Sequence, residues 1–247
     1  MKKQITELTE KINKQNDFLD THLNITKLKQ KHNYDMIYKI CDTVLNKYKI
    51  NFSINPTTIN LKFYRKYLKD LSIFIENNIL NKETLELKDI LALHYNIIKK
   101  LTTTEKLKPN QIWTFRNSQK YINWLTLDYK RKRIGFTHPK FLEKKEKILI
   151  EELNNSSKEN KLYFILKFIL SNLVILHPFE NWNWKTFFIL LDILLWKNNY
   201  FPCFLKDKRF ELDLEKLFQI YTTNQNLEKL IEHFLKKILN IYKNYKM

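Results

Sequence analysis

His177-Pro178-Phe179-Glu180-Asn181-Trp182-Asn183-Trp184-Lys185 joins two strongly apolar runs, Leu162–Leu176 and Thr186–Lys197. Both runs have the length and composition of buried helices, so the nine residues read as the turn between them. A turn that exposes backbone amides ordinarily recruits glycine. Here it holds two tryptophans, in a chain with one glycine among 247 residues. The second helix would begin within the stretch, and its first turn presents N–H groups and a positive dipole end, an anion site in principle. His177 could serve as a general base near neutral pH, with Asn183 and Lys185 as a hydrogen-bond donor and a cation for phosphate oxygens. A histidine that merely caps or packs, and a solvated lysine, account for the same residues.

Outward from this turn, helical patterns dominate. Ile5, Leu8, Ile12 and Leu19 form one amphipathic stripe, and Tyr34, Ile37, Tyr38, Cys41, Leu45 and Tyr48 a second. Asn55-Pro56 breaks the chain before a helix over about 58–77, and Glu86–Leu101 gives another. Between Arg116 and Pro139 the pattern shortens: Gln119–Ile122 reads as a strand and Lys130–Thr137 as its partner. Helices follow over Phe141–Leu153, from about Lys161, over Thr186–Lys197 with Asp192 on it, and over about Leu214–Tyr221 and Leu227–Tyr242. The expectation is an all-α fold with one small β-hairpin.

Composition narrows the setting. Hydrophobic content of 44% suits a chain with a buried core rather than a disordered one. Cys41 and Cys203 lack metal-ligand spacing and imply no disulfide framework. The start, Met-Lys-Lys-Gln-Ile-Thr-Glu, is not that of a secretory signal. The longest apolar run is interrupted by Lys167, Ser171 and Asn172, short for a membrane span. A cytoplasmic protein with no membrane partner is expected. The net charge of +18 suggests nucleic acid at first sight. Its basic residues are overwhelmingly lysine, which AT-rich codons supply, and Lys130-Arg131-Lys132-Arg133 is the tight cluster. A nucleic-acid partner is therefore not expected.

The turn resembles the signature of the Fic (Fido) family, His-x-Phe-x-Asp/Glu-Gly-Asn-Gly-Arg-x-x-Arg, through His177, Pro178, Phe179, Asn183 and Lys185. Three further stretches match in order. Ser72-Ile73-Phe74-Ile75-Glu76-Asn77 is similar to the family's inhibitory motif, Ser/Thr-x-x-x-Glu-Gly/Asn. Thr114-Phe115-Arg116 looks like the Gly-x-aromatic-Arg stretch before the flap hairpin, and Phe136 and Pro139 fall where that flap ends. Asn226–Leu235 is similar to the closing helix. The resemblance implies an N-terminal helical region over 1–65 and a Fic-like domain over 66–240, with an inhibitory helix at 66–78.

It also implies a reaction: transfer of AMP from ATP to a Ser, Thr or Tyr hydroxyl of a target protein. His177 would be the base; Trp182, Asn183, Trp184 and Lys185 would line the phosphate site, and Glu76 would inhibit. Lys185 stands at the first arginine position, keeping charge but losing the bidentate fork. Asn181 stands where the family places its Mg²⁺-holding acid and offers only a neutral carbonyl. Phe188 replaces the second arginine. These departures leave open a catalytically degenerate module that binds a protein or nucleotide, and a transfer of some other phosphate-containing group.

Trp113, Trp124, Trp182 and Trp184 all stand at family glycine positions, four of the five tryptophans. Average usage near 7% would give ~17 glycines in a chain of this length. UGA codons, read as glycine in some bacterial lineages and as tryptophan in others, account for both facts. The turn would then read His-Pro-Phe-Glu-Asn-Gly-Asn-Gly-Lys in the natural protein.

Overall fold

The apolar stripes of the sequence become the contact faces of the helices. A computed structural model describes residues 2–23, 25–47, 58–98, 114–125, 130–203, 219–223 and 225–244. Helices α1 (Lys2–Leu23) and α2 (Ile25–Lys47) lead into α3 (Thr58–Ile75), which passes into a π-helical turn at Glu76–Leu80. Next come α4 (Leu87–Ile98), strands β1 (Tyr121–Leu125) and β2 (Arg131–Gly135), a 3₁₀ turn at Pro139–Phe141 and α5 (Leu142–Asn154). The second π-helical turn, Asn172–Leu176, follows α6 (Lys161–Ser171), and α7 (Asn183–Lys197) and α8 (Leu227–Lys243) complete the order. Helices and a single antiparallel hairpin among the described residues make the expected all-α class. No helix there is long and apolar enough to cross a membrane.

The center is α7. From Thr186 to Trp196 every residue of it is buried, because α2, α4 and α6 pack on its different sides. A helix covered all round must be apolar all round, which is why its sequence lacks an amphipathic period. Its one acid, Asp192, is satisfied by the Cys203 N–H at 2.8 Å. The N-terminal helices share this core: Ile5, Leu8 and Ile12 of α1 join one apolar cluster with Leu230, Phe234 and Ile238 of α8. Trp196 Nε1 donates to Asn33 Oδ1 of α2 at 2.9 Å, and Tyr200 Oη to Asn13 Oδ1 of α1 at 2.8 Å. The expected boundary at 65/66 lies inside α3.

The hairpin forms in the register Tyr121↔Gly135 to Leu125↔Arg131. Its strands lie two or three residues further along on the first side than the sequence pattern suggests. Gln119 instead braces the root, its side chain donating to Phe136 O at 2.7 Å. Most of the helix expected near Leu214–Tyr221 lies outside the described residues, as do Trp113 and the side chain of Trp124. Cys41 and Cys203 are both buried and unpaired.

Candidate active site

The turn from α6 to α7 is built from its ends inward. His177 closes the second π turn in the left-handed region, φ 46° and ψ 60°, with its N–H on Asn172 O at 2.9 Å. This bends the chain sharply enough for Pro178 and Phe179 to dive back into the core. Phe179 is buried against three rings: His94 stacks on it at 3.7 Å between centroids and 3° between planes, with Phe115 and Phe187 further out. His94 is itself fixed by Thr186, Nδ1 to Oγ1 at 3.0 Å. Burial pushes its imidazole down to about 3, so it stands neutral as an aromatic plate.

Asn183 closes the loop from the other side. Its Oδ1 accepts the Phe179 N–H at 2.9 Å and its Nδ2 donates to Phe179 O at 2.8 Å. The side chain expected at phosphate is thus a buried staple across four residues. Any part of Asn183 in anion binding falls to its backbone, at the start of α7.

Arg116 binds this turn to the root of the hairpin. It is buried, its Nε donates to His177 O at 2.7 Å, and its two terminal nitrogens reach Ser118 O, Thr137 O and Leu176 O. Its own N–H meets Pro178 O at 2.8 Å. The planar fork, with five N–H donors held in fixed directions, suits a side chain that serves four carbonyls at once. Lys120 adds a second tie, pairing with Glu180 Oε2 at 2.8 Å and also donating to Glu180 O, while Ser118 Oγ donates to Glu180 Oε1 at 2.9 Å. Burial pulls the Glu180 carboxyl up, but the Lys120 and Ser118 hydrogen bonds outweigh it and hold the group below the usual carboxylate range.

Within this frame the His177 ring lies on Phe136, 4.3 Å between centroids, with Nδ1 3.4 Å from Leu173 O. A proton on Nδ1 directed at that carbonyl leaves Nε2 as the basic nitrogen. Burial lowers the imidazole to about 4, with Lys120 and Arg116 also disfavoring the cation and Leu173 O opposing them, so the ring is neutral at pH 7.

Trp182 occupies the N-cap of α7 at φ 66° and ψ 14°, again left-handed, and gives no side-chain cap. The ammonium of Lys185 sits 3.3 Å from the center of its ring. Trp184 lies within α7, its ring 5.5 Å from that of Phe188, which is wholly buried. The backbone therefore treats the two tryptophans differently. Position 182 has the conformation that favors glycine, and position 184 is ordinary helix.

The first turn of α7 contains no acid and one cation, Lys185. A cation beside a helix N-terminus is unfavorable unless an anion is shared with it. For a metal the donors are poor: Asn181 is exposed and neutral, Glu180 is engaged by Lys120, and the described residues hold no cluster of three acidic, His or Cys groups.

Glu76 is half-buried at the start of the first π turn, and Leu68, Leu71, Ile75 and Ile79 are buried along its face as their spacing predicts. Ser72 turns back on its own helix, Oγ to Leu68 O at 2.7 Å. The π turn is anchored at the C-terminal end of α7, where Lys197 Nζ donates to Ile79 O at 3.0 Å and to Lys82 O. The His177–Lys185 turn lies at the N-terminal end, ~20 Å away along the axis by helix rise. No hydrogen bond found among the described residues joins Glu76 to that turn.

Sequence reasoning did not single out His94, the Asn183 staple or the Lys120–Glu180 tie. Each is a contact between residues far apart in the chain or with backbone, and carries no local pattern.

No protein-family model matches the sequence, and no curated protein does. Solved structures do match. A Fic domain containing signaling protein from Bacteroides thetaiotaomicron VPI-5482 superposes with a TM-score of 0.59 and 12% identity, over 96% of this chain and 94% of its own. A Fic family protein from Desulfovibrio desulfuricans G20 gives 0.65 and 13%, over 97% of this chain and 73% of its own. At such identity the likeness establishes the fold, and the fold is Fic-like.

Proposed function

We propose that this Fic-like chain transfers AMP from ATP to a Ser, Thr or Tyr hydroxyl of a protein, with His177 as the base. The observation that carries the reading is the His177 imidazole: neutral, set by its Nδ1 contact with Leu173 O, in the short turn that leads into the N-terminus of α7. In the step, the hydroxyl oxygen bonds to the α-phosphorus as the bond to pyrophosphate breaks, and the hydroxyl proton passes to Nε2. The first-turn N–H groups of α7 and Lys185 would face the phosphate oxygens. Among the described residues no group of three acidic, His or Cys side chains gathers to hold Mg²⁺, and Asn181 alone would hold it weakly.

Trp182 and Trp184 stand at the mouth of that site, and the codon reading makes them glycines in the natural protein. UGG codons at 182 and 184 would overturn it. The test of function uses α-labeled ATP with the Trp182→Gly/Trp184→Gly variant. Label should pass to the chain itself or to a protein target, and His177→Ala should abolish it. Equal labeling with and without His177 refutes its role as base.

A second reading, binding without catalysis, is favored by the seat of Lys185 on the Trp182 ring, which takes the cation away from any phosphate. Calorimetry separates the two. If the glycine variant binds no ATP, the chain is an interaction module.

A further inference from the structure

The backbone fixes where the His177 side chain starts and leaves open how its ring is turned. The His177 N–H is on Asn172 O and its carbonyl accepts Arg116 Nε, but rotation about the Cβ–Cγ bond of histidine is soft. The Nδ1 contact with Leu173 O, at 3.4 Å, is longer than an ordinary N–H···O bond of about 2.7–3.2 Å and orients the ring only loosely. Phe136 supplies the missing constraint. Its ring is buried and lies 4.3 Å from the imidazole, with 17° between the planes. Two flat rings in contact over their faces can slide, but neither turns out of the shared plane without losing the contact.

Phe136 is the first residue after β2, and the root of the hairpin grips it. Its N–H donates to Lys120 O at 3.1 Å and its O accepts Gln119 Nε2 at 2.7 Å, so both of its backbone groups are held from the start of the hairpin. The next residue, Thr137, donates its N–H to Ile175 O of the second π turn at 2.8 Å, which joins the root to the segment that ends in His177. Preceding Phe136 is Gly135, the chain's one glycine, where a Cβ would come within 3.2 Å of the Tyr121 ring. The hairpin is thus close-packed right beside Phe136. We propose that Phe136 is a positioning residue: the hairpin root presents its ring to fix the plane of the His177 imidazole, so that the hairpin, and not only the turn from α6 to α7, sets the aim of the proposed base. Lys120, Arg116 and Glu180 are the charges that bear on the imidazole, and each is tied by hydrogen bonds between the turn and the hairpin root. Burial lowers the imidazole to about 4 and Phe136 is part of that cover, so a ring released from it would titrate nearer 6.5.

Only the catalytic consequence rests on the reading of His177 as base, and the first measurement needs no nucleotide. Histidine ¹⁵N NMR of the wild-type chain and of Phe136→Leu, with His177 assigned by its loss in His177→Ala, reads tautomer and titration. Leucine keeps apolar bulk and removes the flat face. In the wild type the proton should sit on Nδ1 and the ring should titrate at about 4. In Phe136→Leu the tautomers should mix and the midpoint should rise by at least about one unit. The second measurement places Phe136→Leu in the Trp182→Gly/Trp184→Gly background. Labeling at saturating ATP should fall about tenfold or more, with ATP affinity by calorimetry unchanged. An unmoved tautomer and midpoint would overturn the proposal, as would labeling that is undiminished or lost only through weaker ATP binding. If the background variant itself transfers no label, the proposed function fails and the ¹⁵N titration still decides the positioning. Should Phe136→Leu not fold, wild-type cross-relaxation decides alone: rings stacked this closely exchange magnetization strongly, and the absence of a Phe136–His177 cross-peak would overturn the proposal.

Discussion

Replacing Trp182 and Trp184, each once by glycine and once by alanine, separates what the backbone demands from what the rings contribute. Within each pair the whole indole is lost, so ring burial and the Lys185 contact cancel, and only a Cβ differs. At 182 the backbone stands at φ 66° and ψ 14°. The left-handed region costs a residue with a Cβ about 1–2 kcal/mol. Glycine escapes that cost but gives back about 0.5–1 kcal/mol through its greater freedom when unfolded. Trp182→Gly should therefore be more stable than Trp182→Ala by roughly 1 kcal/mol. At 184, inside the first turn of α7, the order reverses, because glycine is the poorer helix former by up to about 1 kcal/mol. The two Gly–Ala differences should thus have opposite signs and differ by about 1.5–2 kcal/mol. Equilibrium urea unfolding of the four variants, compared within pairs at fixed pH, measures this. Alanine favored at both positions would refute the left-handed turn at 182 and remove the backbone's support for glycine there.

Arg116→Lys keeps a charge but loses the fork, leaving two buried carbonyls, Thr137 O and Leu176 O, short of donors at about 1–3 kcal/mol each; thermal unfolding should show a loss of about 2 kcal/mol or more, and a loss under about 1 would mean that Arg116 is not the clamp described. The His177 imidazole is lowered to about 4, so labeling by the Trp182→Gly/Trp184→Gly variant should stay level from pH 8 down to about 5 and fall only near 4. The unfolded chain protonates that ring at about 6.5, hence the His177 contribution to stability is present above 6.5 and lost as pH falls toward 4; a labeling midpoint at 6.5 would contradict its burial. A double-mutant cycle of Lys120→Met and Glu180→Gln should give a coupling of about 1 kcal/mol, modest because both side chains touch solvent. Glu76→Gly should change labeling by no more than about twofold, since its turn is anchored at the far end of α7; a large activation would mean that Glu76 acts by a route other than contact with the His177–Lys185 turn.

The helices and hairpin were legible because burial imposes a period on residue type. Leu68, Leu71, Ile75 and Ile79 declare a face, and α7 declares itself central by having none that is polar. The turn was legible as the joint between two buried helices, with His177 and Lys185 flanking a helix start. What stayed hidden is held by backbone atoms or by pairs distant in the chain. Asn183 looked like a phosphate ligand because its type suits that role, yet an amide suits a backbone staple equally, and only the return of Phe179 decides between them. Glu146 sits among Glu143, Lys144, Lys145 and Lys147, which are exposed, and nothing in that charged run marks it as the one turned inward. The π turns left no trace either, because one additional residue in a helix disturbs an apolar pattern less than the pattern's own irregularity does.

That additional residue sets a phase. A helix advances about 100° per residue, so the widened turn at Asn172–Leu176 rotates everything after it relative to a continuous α6. With one residue removed from Leu173–Ile175, α6 would run on as plain α-helix. His177 would then leave α6 on a different azimuth, away from Phe136 and from the Leu173 carbonyl. Every side chain of the turn would still be present, in order and in type, and the proposed base would face the wrong way. At this point the chain encodes direction by counting: a single-residue deletion among interchangeable aliphatic residues is a graver change than most substitutions of them.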